Sequence, residues 1–266
     1  MEEKYVATWE DFLSGLAEIQ KTSANSSDYM LDHPLLFRGQ ASSGWRLSTT
    51  LERTSERMLY RDYYRIIAKI RSQIESLVGG DWPIPPYQEV ERLVKVYEEF
   101  NNILWAGDRP AYAYMAYLRH HGFPSPLLDW SRSPYVAAYF AFANADRDID
   151  GSVSIFVLCE RNFKVSGNRM DVVHIFGPYV KTHRRHVLQQ SQYTVCLSFH
   201  DEWRFESYDS VFEKGPRQQA FCWKFTIPVS ERSKVLALLD EHNLNAFSLF
   251  GSEESLMETL ATREFR

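Results

Sequence analysis

Apolar positions recur every three or four residues in some stretches and every second residue in others, and that change of period divides the chain into elements. In "TWEDFLSGLAEIQ", residues 8–20, Trp9, Phe12, Leu16 and Ile19 share one helical stripe, with Thr8 placed to cap it. "LLFRG" reads as a short strand from Leu35 to Gly39. From Ser48 to Val78 charged and apolar residues alternate at helical spacing until Gly79-Gly80 stops the run. "DWPIPP" interrupts the pattern. A second helix is expected with Val90, Leu93, Val94, Tyr97 and Leu104 on one stripe, and a third from about Ala111 to His121. Beyond residue 150 the character changes. "SVSIFVLCE" (152–160), "YTVCLSFH" (193–200) and "QAFCWKFTIP" (219–228) are rich in β-branched and aromatic residues and predict strands. "SERSKVLALLDEHN" predicts a helix capped by Ser230 and stopped at Asn243. "AFSLF" (246–250) reads as a last short strand, and "SEESLMETLATREF" as a final helix capped by Ser252. The expected class is α+β: one domain over residues 1–266, with a mixed or antiparallel β core and a helical insertion at about residues 50–120, after the first strand.

Composition adds limits. With 44% hydrophobic and 15% aromatic residues, the chain can fill a core and is not disordered. A net charge of -5 gives no global pull toward nucleic acid, so any such contact needs a local basic patch. Cys159, Cys196 and Cys222 are far apart, form no CxxC pair and suggest no metal site. The odd count and the charged start "MEEKYVATWEDFL" fit reduced thiols and a cytoplasmic location. No run approaches the ~18 apolar residues of a membrane span.

Three stretches carry candidate chemistry. In Phe37-Arg38-Gly39 an obligate cation follows an apolar strand and precedes a glycine. Arg38 either holds an anionic ligand or braces the fold. In "HHGFPSPLLDWSRSPYVAAYFAF", His120 to Phe142, Asp129 and Ser131 flank Trp130, Pro134 suits the first turn of a helix, and Val136, Ala137, Phe140 and Ala141 form a narrow face for close packing. Asp129 alone reads equally well as a cap or turn acid. In "HRRHVLQQSQYTVCLSF", His183 to Phe199, Gln189 and Gln190 precede a strand. Lys181, Arg184 and Arg185 there form the densest local positive charge, either a phosphate contact or a solvated loop.

Together these stretches resemble the FRG-domain family of bacterial proteins, named for the triplet that is here Phe37-Arg38-Gly39. The family's central motif is matched by His120, Gly122, Pro124, Leu127, Leu128, Asp129 and Trp130, with Ser125 and Ser131 in place of threonines and Pro126 where arginine is usual. Its third motif is matched by Arg185, Gln189, Ser191, Tyr193 and Thr194. The motif order is similar to that of Arg-Ser-Glu ADP-ribosyltransferases, which implies an ADP-ribosyltransferase-like core and NAD as a donor substrate, with no metal. The resemblance places Arg38, Asp129, Ser131 (or else Ser133) and Gln189 (or else Gln190) in catalytic roles. It places Phe37, Gly39, His120, Trp130, Gln190 and Tyr193 at the dinucleotide, with Gly39 letting the backbone approach the nicotinamide amide. Glutamine stands where those enzymes carry a carboxylate, so Asp129, or else Glu202 or Glu206, has to supply the acid. The family's links to toxin–antitoxin and phage-defence systems imply a nucleic acid acceptor, RNA first, and a partner antitoxin protein. Two other readings use the same residues: a non-catalytic nucleotide- or nucleic-acid-binding module, and a buried network that only stabilises the fold.

Overall fold

A single sheet takes strands from both ends of the chain. The computed structural model describes residues 1–24, 35–79, 111–146, 151–160, 170–176, 184–199, 201–214 and 220–265, with isolated residues between 82 and 92. The strands are β1 (Glu2–Tyr5), β2 (Leu35–Gln40), β3 (Leu128–Ser131), β4 (Ser152–Glu160), β5 (Met170–Phe176), β6 (Ser191–Phe199), β7 (Trp203–Phe205) and β8 (Ala220–Pro228). The helices are α1 (Trp9–Ala24), α2 (Tyr60–Val78), α3 (Tyr112–His120), α4 (Pro134–Ala143), α5 (Arg185–Leu188), α6 (Tyr208–Lys214), α7 (Arg232–Glu241), α8 (Ala246–Phe250) and α9 (Glu253–Glu264). The strand order is β1-β8-β4-β2-β3-β6-β5, with β7 beside β6. Among the described strands only β1 and β8 run parallel.

Strand β4 shows why the sheet holds together. Val153, Ile155 and Val157 face one apolar layer, and Phe156 and Leu158 face another, so the strand is buried on both sides. The first layer is closed by α1, α4 and α7 through Trp9, Phe12, Leu16, Val136, Ala137, Ala141, Val235 and Leu239. The second holds Leu36, Leu128, Trp130, Cys196 and Tyr208. Helices α2 and α3 cover the far end of β6, where Tyr63, Tyr64, Ile67, Tyr114 and Leu118 pack with Tyr193, Val195 and Leu197.

The sheet is narrowest at its middle. β2 has six register pairs with β4, and β3 has four with β6, yet β2 and β3 pair only at Phe37↔Ser131. Two well-zipped parts therefore meet at one pair, and the strands diverge beyond it.

Several expectations are corrected. "AFSLF" is the helix α8, not a strand: Asn245 accepts from Ser248 N while the Ser248 hydroxyl answers Asn245 N, and Gly251 ends the helix at φ 62°. The helix expected from Ser48 begins at Tyr60, because Thr49 and Glu52 bond each other's backbone N–H groups in a separate turn. Ser230 lies in a 3-10 turn and caps nothing, α7 starting at Arg232. Leu35–Gln40 is the second strand, preceded by the edge strand β1. The caps at Thr8 and Ser252 and the stop at Asn243 (φ 56°) stand. Among the described residues 41–127 lie α2 and α3 and no sheet strand. Val90, Leu93, Val94, Tyr97 and Leu104, the stripe of the expected second helix, lie outside the described residues.

Candidate functional site

A cleft of about 960 Å³ opens where β2 and β3 part. Among the described residues its lining holds five arginines, Arg38, Arg46, Arg53, Arg119 and Arg185, against one carboxylate, Asp129. In a chain of net charge -5 that local excess is a strong reversal of sign. It favours an anionic occupant.

Strand periodicity divides the first motif between two faces. Phe37 is buried against α4. Gly39 faces the same helix so closely that an added Cβ would sit 1.9 Å from the Ala137 carbonyl oxygen and 2.7 Å from Ala141 N. The space left by its missing side chain is thus taken by α4, although Gly39 also borders the cleft. Helix α4 owes its start to Ser133, whose hydroxyl accepts from Val136 N at 3.3 Å, and to Pro134 in the first turn.

Arg38 points the other way. Its Nη1 donates to the Asp129 carbonyl oxygen at 2.8 Å, and its buried Nε–H has no partner among the described residues. Burial lowers its pKa, the Asp129 charge acts to raise it, and Arg119 and Arg53 lower it further. An arginine does not lose its proton in such a site. The direction therefore marks a cation short of negative charge.

Asp129 lies in β3 rather than at a helix cap. Its Oδ2 accepts from Arg119 Nη2 at 2.5 Å. Arg119 sits in the last turn of α3, and its Nε–H is also buried without a partner. The next residue, His120, meets the Tyr193 hydroxyl through Nε2 at 2.8 Å. Tyr193 is fully buried, and its phenol pKa is pushed up by burial first and then by the Asp129 charge. It remains a neutral phenol behind the cleft wall.

The neighbouring residues are braces. The Trp130 indole N–H donates to Thr194 Oγ1 at 2.8 Å inside the core. The Ser131 hydroxyl donates to the Gln189 carbonyl at 2.8 Å and accepts from Ser133 N at 3.0 Å, which ties β3 to the turn after α5 and to the start of α4. The Gln189 side-chain amide donates to the Leu249 carbonyl at 3.2 Å. Gln190 adopts φ 48°, and its carbonyl accepts from Arg132 N.

The cleft thus brings together Arg38, His120, Asp129, Ser131 and Gln189, with Phe37, Gly39 and Trp130 at its walls. Gln190 and Tyr193 do not line it, and neither do Glu202, paired with Arg61, and Glu206, paired with Arg57. Arg184 and Arg185 are not a free basic loop. Arg184 Nη2 bonds the Gly251 carbonyl, and the Arg185 guanidinium stands 5.3 Å from the Phe250 ring centroid. Lys181 and His183 lie outside the described residues. Sequence reasoning missed Arg46, Arg53 and Arg119, the exposed Trp45 and the ring of Phe250. Only Arg119 had a usable signal, its place directly before the central motif.

Among the described residues no group of three His, Cys, Asp or Glu could hold a metal ion, and no helix is long and apolar enough to cross a membrane. No curated protein and no solved structure matches the chain. Residues 33–149 match the family model of the FRG domain, and that span supplies Arg38, Arg119, His120, Asp129 and Ser131 to the cleft.

Proposed function

We propose that the cleft binds NAD and transfers its ADP-ribose to a nucleophilic acceptor. The observation that supports this most is Arg38, a partly buried cation whose buried Nε–H is unmatched among the described residues, beside Arg119, whose Nε–H is unmatched as well. A bridging pyrophosphate supplies the acceptor atoms that both Nε–H groups lack, and the negative charge that Arg38 lacks. The cleft volume lies at the upper end of the ~300–1,000 Å³ usual for ligand pockets.

In the reaction the acceptor's O–H or N–H attacks C1′ of the nicotinamide ribose. The C1′–N bond breaks, its electron pair neutralises the pyridinium, nicotinamide leaves, and the acceptor's proton passes to solvent. The ribose becomes oxocarbenium-like on the way, and a nearby carboxylate stabilises it. Asp129 is the one carboxylate in the described lining and takes that role here. RNA is the favoured acceptor, since Trp45 is exposed at the cleft and followed by Arg46, a pairing suited to stacking on bases and meeting phosphate. An enzyme of this kind would be toxic when unrestrained, and a partner antitoxin would hold it in check.

A second reading is a non-catalytic nucleotide-binding module. It is favoured by the engagement of Asp129 with Arg119 and by the absence of any carboxylate at Gln189. Incubating the protein with NAD labelled in its adenylate half and a cell lysate separates the two. Label fixed on RNA, DNA or protein supports transfer, whereas bound NAD with no label fixed leaves the module.

A further inference from the structure

The cleft has a second chemical character away from its guanidiniums. Phe140 of α4 and Phe250 of α8 both line it, both are partly exposed, and their rings meet edge to face at 5.9 Å and 88°. Phe250 is held on both sides. The Gln189 amide bonds the carbonyl before it, Leu249, and Arg184 bonds the carbonyl after it, Gly251, which ends the helix in the left-handed region. The third motif therefore serves to fix an aromatic corner in the cleft wall. A ring fixed in advance stacks on a planar ligand with little ordering cost.

Which ring it takes follows from charge. The Arg185 guanidinium stands over Phe250 and lines the same cleft. A cationic pyridinium placed there would be repelled by that positive charge, and a neutral purine would not. The carboxylate that would favour a pyridinium, Asp129, belongs to the β3 wall. We infer that the Phe140–Phe250 corner is the adenine subsite, so that a dinucleotide lies with its adenine against α8, its pyrophosphate over Arg38 and Arg119, and its nicotinamide toward Asp129. This assignment rests on the proposed NAD reading for its ligand and goes beyond it in fixing the ligand's direction.

The test titrates AMP and nicotinamide mononucleotide separately into the wild-type chain, Phe250→Ala and Phe250→Trp, with a melting curve for each. The two probes carry the same phosphate and differ in the charge of the ring. Phe250→Ala is expected to weaken AMP by roughly 5- to 150-fold, the equivalent of the ~1–3 kcal/mol of base–aromatic stacking. Nicotinamide mononucleotide should bind Phe250→Ala as it binds the wild type, and Phe250→Trp should keep AMP. If Phe250→Ala does not fold, Phe250→Leu, which keeps bulk without the ring, is expected to show the same selective loss. An unchanged AMP affinity, an equal or larger loss of nicotinamide mononucleotide, or a wild type that does not bind AMP overturns the subsite. A wild type that binds AMP selectively through Phe250 but never releases nicotinamide from NAD leaves the subsite standing and removes the transfer reaction.

Discussion

The two faces of strand β2 obey different physics within three residues. On one face Phe37 and Gly39 meet α4 with no room to spare, and Val136, Ala137 and Ala141 complete a dry contact. On the other, Arg38 enters a hollow whose described lining holds four further arginines; its Nη1 bonds the Asp129 carbonyl, and its Nε–H is unmatched among the described residues. The first face is solved within the protein itself. The second is not completed by the described residues, and a buried polar group left unmatched is an ordinary sign of a ligand site. The triplet is therefore one packing device and one ligand device, joined because a strand turns successive residues to opposite sides.

The sharpest way to break the packing face is Gly39→Ala. The new Cβ would overlap helix backbone at 1.9 Å, which no rotamer relieves, so the cost should exceed the ~1–3 kcal/mol of usual overpacking. Loss of cooperative melting, or a very large fall in Tm, is the expected outcome. Arg38→Ala should do the reverse. Its melting curve should stay close to wild type, while ADP-ribose affinity measured by calorimetry falls by ~2–5 kcal/mol, or roughly 30-fold to several-thousand-fold.

Asp129→Asn then tests the balance of charge inside the cleft. Its pair with Arg119 is partly exposed, so little stability should be lost. Nicotinamide release from NAD should drop by about 10²-fold or more, while affinity for inorganic pyrophosphate rises because two guanidiniums lose their counter-charge. The smallest effect is expected from Ser131→Ala, which removes the brace between β3, Gln189 and Ser133. A loss of about 1–3 kcal/mol would appear as a Tm lower by several degrees, with the ligand affinity of the folded fraction unchanged.

Much of the packed face was legible in the sequence, because packing leaves a periodic trace. The strands at 35–39, 152–160, 193–199 and 220–228 and the helix from Pro134 follow from apolar spacing and from proline chemistry. β1 escaped because an exposed edge strand can be almost wholly polar, and "EEKY" carries no apolar alternation. β3 escaped because four residues, two of them Asp and Ser, are too short to show a period. Phe and Leu composition concealed α8, whose real signals are the polar cap Asn245 and the terminal Gly251.

The cleft was legible in part. Arg38, Asp129, Ser131 and Gln189 do converge, from positions up to 151 residues apart in sequence. Their division of labour was not visible, because it depends on what each hydroxyl or amide bonds in three dimensions. Ser131 and Gln189 carry motif positions yet make braces, and Gly39 answers a helix. Arg53 reaches the lining from a turn whose sequence gives no sign of facing that hollow.

The proposed reaction requires the Arg38 face to use NAD as a donor. The most direct measurement is nicotinamide released from NAD by the wild-type chain, with Arg38→Ala run alongside at matched folding. Release by the wild type and its loss in Arg38→Ala are the expected results. NAD bound by the wild type with no nicotinamide released, or release undiminished in a folded Arg38→Ala chain, would contradict that requirement.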